Sequence, residues 1–293
     1  MTTPDDLSKR KGALSEARRA LLLKRLQGKK SRDLPASRIE PQPQDGLLPL
    51  SYTQQRVWFL QQLYPHNRAY NMSEAWRLHG SLDENALRQA LQKIVRRHAA
   101  LRTYFVAGGA AAMQVVADTV DLPLSVTDIS HLSSAQREQT LSQMVLAAGN
   151  YAFDLSQAPL CRASLIHLND NEHVLQLVLH HIITDEWSND IIWRELAFYY
   201  DTSRHAGANE LARSAIQYSD YARWQREQAG SGALDKQMDY WQSQLSGDLP
   251  LLQLPTDRPR PPEQSLQGGI VRRMLPAELL HGVQSLSQQT GTT

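Results

Sequence analysis

His173-Val174-Leu175-Gln176-Leu177-Val178-Leu179-His180-His181-Ile182-Ile183-Thr184-Asp185-Glu186-Trp187 is the stretch that decides the fold. From Val174 to Leu179 only Gln176 is polar, and a run that is apolar at nearly every position marks a strand buried on both faces. Leu160 to Leu168 forms a second such run. Asn169, Asp170 and Asn171 between them are turn formers, so the two runs read as a hairpin. Trp187 to Tyr200 then takes helical spacing. His180 and His181 therefore end a buried strand. Successive strand residues point to opposite faces. If the strand continues through the pair, one imidazole faces the core and the other a cleft, and the two cannot easily share a reaction centre or a metal. A polar pair at the end of a buried strand is a common place for function, whereas a lone histidine there is more often a satisfied structural group.

Outward from that hairpin the chain alternates strand and helix. Helices are expected at Tyr52–Tyr64, Leu82–His98, Ala135–Ala152, Tyr218–Arg226 and Leu234–Leu245, with a last one from Pro276. Strands are expected at Ser73–Leu78, Leu101–Val106, Met113–Val116 and Gly269–Leu275. Pro250–Pro262 is proline-rich and irregular. The mixture gives an α/β fold, in layers an α+β sandwich. There is no internal repeat.

Lysine and arginine number 31 against 30 aspartates and glutamates, a net charge of +1, so the balance demands neither nucleic acid nor a membrane surface. No apolar run approaches the roughly 18 residues of a membrane span. One cysteine, Cys161, forms no intrachain disulfide, and a cytoplasmic location is expected. The start Met1-Thr2-Thr3-Pro4-Asp5-Asp6 lacks the features of a signal peptide. Residues 1–46 differ from the rest. Lys9 to Arg32 carries ten cations against Glu16, and Leu14, Arg18, Leu21, Leu22 and Arg25 fit an amphipathic helix ended by Gly28. Pro35, Pro41, Pro43 and Gly46 mark a linker. The plain reading is a solvated helix on a tether; the sharper one is a docking element for an upstream protein.

Five stretches carry a resemblance. They are Ser51-Tyr52-Thr53-Gln54-Gln55-Arg56-Val57-Trp58-Phe59-Leu60, Arg97-His98-Ala99-Ala100-Leu101-Arg102-Thr103-Tyr104-Phe105, His180-His181-Ile182-Ile183-Thr184-Asp185, Tyr218-Ser219-Asp220-Tyr221-Ala222-Arg223-Trp224, and Leu254-Pro255-Thr256-Asp257-Arg258-Pro259-Arg260. In that order they resemble the motifs of condensation domains of nonribosomal peptide synthetases. The resemblance implies two lobes, each similar to chloramphenicol acetyltransferase, meeting in a V. By it, 47–227 is the first lobe and 228–293 the incomplete start of the second. The chain ends just beyond a helix, as a fragment would.

The activity implied is acyl transfer that forms an amide. The amine of an acceptor aminoacyl thioester attacks the carbonyl of a donor thioester. Both substrates ride on the phosphopantetheine of upstream and downstream carrier proteins, so no directly bound cofactor and no metal are expected. The resemblance puts proton handling on His181, consistent with an imidazole that titrates near ~6.5. It makes His180, Asp185 and Arg102 supporting residues, with an Asp185–Arg102 salt bridge. Arg102, read as part of an apolar strand, would be costly there without a partner; Asp185 could equally cap the following helix. Glu186 departs from the glycine of the family motif, whose freedom of φ or close approach it would forfeit. The opening motif and the Arg97–Phe105 stretch look like the branch that takes L-configured or starter acyl donors. The competing readings are a non-catalytic carrier-binding or docking module and another acyltransferase of the same fold. Cys161 is expected to be inert core, His173 a surface group of the hairpin, Asp220 a cap or pairing residue, and Trp58, Trp187, Trp193 and Trp224 packing residues.

Overall fold

The computed structural model describes residues 38–109, 111–204, 210–212, 214–259, 262, 271 and 273–292. The basic segment Lys9–Arg32 lies outside them. The chain divides into Met1–Glu40 and Pro41–Thr293. Along the second unit run β1 (Leu48–Pro49), α1 (Tyr52–Leu63), β2 (Asn71–His79), α2 (Glu84–Arg97), a 3-10 turn (Ala99–Arg102), β3 (Thr103–Gly108), β4 (Ala111–Val116), β5 (Leu124–Asp128), α3 (Ser134–Gly149), β6 (Cys161–Asn169), β7 (Glu172–His180), α4 (Glu186–Arg204), α5 (Tyr218–Gly230), α6 (Asp235–Gln244) and α7 (Ala277–Thr290).

The hairpin forms the centre of a four-stranded sheet in the order β2-β7-β6-β5. β7 pairs antiparallel with β2 on one side, Asn71 opposite His180, and with β6 on the other, Leu165 opposite Leu175. β5 runs parallel to β6. A small antiparallel sheet, β1-β4-β3, lies apart from it. Helices cover both faces of β7, which explains its continuous apolar sequence in an antiparallel setting. Leu175, Leu177 and Leu179 join a large cluster with Leu87, Leu91, Ile94 and Val95 of α2 and Ile192 and Leu196 of α4. Val174, from the opposite face, joins Ile166, Leu168 and Leu141 of α3 in a smaller one. Gln176, the polar exception, is buried and donates through Nε2 to Val145 O (2.8 Å) and Ser73 Oγ (2.9 Å).

The ends of the helices follow local chemistry. Ser51 and Gln54 form a reciprocal capping box on α1. Asp83 caps α2 by accepting from Ala86 N. Asp220, buried at the start of α5, accepts from Gln217 N (2.7 Å), Gln42 N (3.0 Å) and Gln44 Nε2 (2.9 Å), the pairing role expected of it.

Several expectations change. β1 and β5 are strands that periodicity does not reveal. Leu101 and Arg102 belong to the 3-10 turn, not to β3. Of the expected strand Gly269–Leu275, Gly269, Ile270 and Arg272 lie outside the described residues; Val271, Arg273, Met274 and Leu275 are not in a strand. His173 is buried rather than at the surface, because the turn brings its ring against His167; Nδ1 to Nδ1 is 2.7 Å, and His167 Nε2 reaches Glu84 Oε1 at 3.0 Å. Trp187, expected to pack, is 75% exposed. α6 and α7 leave Met238, Trp241, Leu279, Leu280, Val283 and Leu286 exposed.

Leu165 has no exposed surface and lies in the larger cluster. Leu165→Ala is expected to destabilise the chain by about 2–5 kcal/mol, whereas Trp187→Ala changes stability by no more than about 0.5 kcal/mol. Urea unfolding midpoints at constant slope check both.

Candidate active site

β7 hands the chain to α4 through Ile182–Asp185, and the alternation along the strand separates the two imidazoles. His180 is 1% exposed, against the rings of Tyr70 and Phe153. Its Nδ1 accepts from Ile182 N (3.2 Å), so the proton of the neutral ring is on Nε2, which is buried without a hydrogen-bond partner. Burial, and secondarily the neighbouring His181 charge, lower its pKa from 6.5 to about 4. His180 is therefore a neutral part of the core near neutral pH.

His181 is exposed. Its backbone N–H extends the β2–β7 pairing to Tyr70 O (2.7 Å). Its Nδ1 lies 2.6 Å from the carbonyl oxygen of Thr184. A carbonyl only accepts, so Nδ1 carries the proton and donates. The neutral ring then keeps its lone pair on Nε2, which makes no hydrogen bond among the described residues. This fixes both the tautomer and the direction in which the side chain can take a proton.

The loop that holds this geometry is pinned at each step. Ile182 and Ile183 are buried. Gln54 Nε2, from the first motif, donates to Ile182 O (3.3 Å). Thr184 is buried, and its hydroxyl donates to Asn189 Oδ1 (3.0 Å). Asp185 accepts from Ser188 N (2.8 Å) and Ser188 Oγ (2.6 Å) and so caps α4. Gln54, Ala99, Thr103, Ile183, Tyr218 and Ser219 line one cavity of about 10 Å³, so residues from the first four motifs converge behind the histidine loop. Ser51 Oγ and Tyr218 Oη, from the first and fourth, are 3.0 Å apart.

One expectation is corrected. Arg102 and Asp185 do not pair. The 3-10 turn directs the guanidinium to Val95 O (3.2 Å), Asp118 O (3.2 Å) and Ala117 O, while the Asp185 carboxylate is occupied as a helix cap. Burial lowers the Arg102 pKa and the Asp118 charge opposes that shift. Glu186 occupies the exposed first turn of α4, a helical conformation that does not require the positive φ of a glycine. A carboxylate there interacts favourably with the helix N-terminus.

Cys161 is buried, and burial pushes its thiol up to about 12, as expected of inert core. Sequence reasoning missed Glu74, Asn189 and Glu195. Glu195 accepts from Arg97 Nε (2.9 Å) and lies 2.6 Å from His98 Nε2, which anchors the second motif to α4. The only prior sign of Glu74 is a charge within a predicted strand.

A family model described as "Condensation domain" matches residues 44–293. A linear gramicidin synthase of Brevibacillus parabrevis is 43% identical over 246 residues, 84% of this chain and 5% of that protein. The phosphinothricin tripeptide synthetase PhsC of Streptomyces viridochromogenes is 36% identical over 290 residues, 99% of this chain and 27% of that protein. The chain thus spans a small part of these curated relatives. Among solved structures, the X-domain from teicoplanin biosynthesis aligns with a TM-score of 0.75 at 29% identity, over 87% of this chain and 56% of that one. The starter condensation domain of the rhizomide synthetase RzmA aligns at 0.63 and 19% identity, over 70% and 49%, a likeness of fold alone.

The depressed pKa of His180 sets a pH dependence. The unfolded chain binds a proton at this residue below about pH 6.5 and the folded chain does not until about pH 4. Its contribution to stability is fully present above pH 6.5 and is lost as the pH falls toward 4, a loss on the order of 3 kcal/mol. Urea unfolding at pH 7 and pH 4.5 is expected to show a smaller decrease for His180→Leu than for the native chain.

Proposed function

Because this chain belongs to the condensation-domain family of nonribosomal peptide synthetases, we propose that it contributes the histidine side of an amide-forming acyltransferase. The observation that carries this reading is the exposed His181 imidazole, with its proton held on Nδ1 by Thr184 O and its lone pair on Nε2. The acceptor α-amine attacks the donor thioester carbonyl. A C–N bond forms, the tetrahedral intermediate collapses, the C–S bond breaks and the carrier thiolate leaves. The amine supplies the nucleophile, so no acyl-enzyme is needed. What must be supplied is orientation of two tethered substrates and removal of the amine proton as the bond forms. His181 Nε2 takes that proton or holds the amine through it.

In this reading both substrates arrive on phosphopantetheine arms of carrier proteins, and the donor is an L-configured or starter acyl group. Residues 47–227 act as the first lobe and 228–293 begin the second. Residues 1–46 serve as the docking element for an upstream synthase. His180 and Asp185 are structural, one filling the core behind the site and the other capping α4. Arg102 steadies the 3-10 turn through carbonyl groups.

His181→Ala, introduced into the longer synthetase and assayed with loaded donor and acceptor carriers, is expected to lower product formation by about 10²–10⁴-fold. Product at the native rate would refute the catalytic role and favour a docking module. Glu186→Gly in the same assay is expected to condense no faster than the native protein, since Glu186 already suits its helical position; a faster glycine variant would show that the side chain obstructs the site.

A further inference from the structure

Glu74 is a charged residue in β2, beside the central strand β7 and opposite Leu177. Its two carboxylate oxygens are taken up by successive turns of α4. Oε1 accepts from Asn189 Nδ2 at 2.6 Å, and Oε2 accepts from Trp193 Nε1 at 2.5 Å. Trp76 Nε1 adds a longer contact to Oε2 at 3.3 Å. The first two are short, charge-assisted bonds from neutral donors. They lie on the face of the sheet that carries α4, the helix that follows the His181 loop.

The chemistry of each group fixes the next. A carboxylate only accepts, so it must meet the NH₂ side of the Asn189 amide. That leaves Asn189 Oδ1 toward Thr184, whose hydroxyl must then donate to it. Both Asn189 and Thr184 are more than nine-tenths buried, so water does not substitute for either partner. The side chain of Thr184 is thereby locked, and its carbonyl is presented to His181 Nδ1. Polarity passes in one direction, from carboxylate to amide to hydroxyl, and ends on the residue that sets the His181 tautomer.

We propose that Glu74 is a positioning residue for His181, acting through Asn189 and Thr184. This rests on the reading of His181 as the proton-handling group, and it adds the residue that orients it. Glu74 itself touches no reacting atom.

Glu74→Gln preserves shape but turns one oxygen into a donor. With the carbonyl oxygen of the introduced glutamine kept on Trp193, its NH₂ group faces the Asn189 NH₂. Asn189 must rotate, and its NH₂ then donates to the Thr184 hydroxyl, which loses its acceptor on α4 and keeps only the longer contact to Asp185 O (3.4 Å). The double variant Glu74→Gln/Asn189→Asp restores every bond with the charge moved to the helix. The introduced glutamine then donates to one oxygen of the introduced aspartate, and Thr184 donates to the other.

The test has two arms. In the first, ¹⁵N spectra of the 293-residue chain report the neutral tautomer of His181. The native chain is expected to show the Nδ1–H form, Glu74→Gln a mixture of tautomers, and the double variant the native form again. In the second, the longer synthetase is assayed with loaded carriers. Glu74→Gln is expected to lower kcat about tenfold with little change in KM, and the double variant to recover it. A His181 signature that stays native in Glu74→Gln overturns the proposal, as does an unchanged kcat. A native synthetase that forms no amide would count against the condensation reading alone, since the spectral arm does not depend on turnover. If Glu74→Gln lowers the unfolding midpoint too far for spectra, Asn189→Asp with Glu74 intact breaks the same relay by opposing two carboxylates, and it must then disturb the tautomer for the proposal to hold.

Discussion

A strand that is hydrogen-bonded on both edges and buried on both faces has no freedom to shift. β7 is such a strand, and the rest of the lobe is referred to it. Slipping its register by one residue would move Leu175, Leu177 and Leu179 out of the large cluster and exchange the two histidines between core and surface. The same constraint that stabilises the sheet therefore also decides which imidazole is available. His180 closes the core against Tyr70 and Phe153, and His181 is carried past it into the open. No separate device is needed to tell them apart.

Around the end of this strand the important contacts are polar and mostly between a side chain and a backbone group. Gln54 holds the Ile182 carbonyl, Asp185 caps α4, and Thr184 turns its carbonyl to His181. Each bond alone stabilises by about 0.5–1.5 kcal/mol, but a buried partner left unmet costs about 1–3 kcal/mol. The loop is thus defined less by any single attraction than by the cost of leaving its buried groups unsatisfied. Arg97, His98 and Glu195 do the same for the junction of α2 and α4, with side chains largely withdrawn from water. An ion pair in that setting is costly to break one side at a time, and it fixes the relation of the two helices that cover one face of the sheet.

Much of this was legible in the sequence for a physical reason. The hairpin, α1, α2 and α4 are strongly periodic or strongly capped, and local patterns report local structure. The opposite fates of His180 and His181 follow from strand alternation alone. What was hidden falls into two kinds. β5 is short and buries only Leu124, so alternation has nothing to act on, and Pro123 beside it reads as a break. Leu101 and Arg102 form an apolar–basic pair that suits a strand as well as a 3-10 turn. The second kind is distant side-chain pairing. Glu74 and Asn189 are 115 residues apart, and Arg102 finds carbonyl oxygens where the family resemblance implied a carboxylate. No spacing rule encodes such contacts, because they depend on where the folded backbone brings the groups.

Cys161, one strand away from the histidine loop, bears on the chemistry by what it does not do. A thiol near an acyl thioester is an obvious thief: by exchange it would strip the acyl group from its carrier and strand it on the protein. Thiolate is the form that reacts, and a thiol pushed up to about 12 supplies almost none of it at neutral pH. Its side chain is also closed off in the core. With a single cysteine in 293 residues, and that one buried, the reading proposed above leaves an acyl thioester with no competing thiol on this chain.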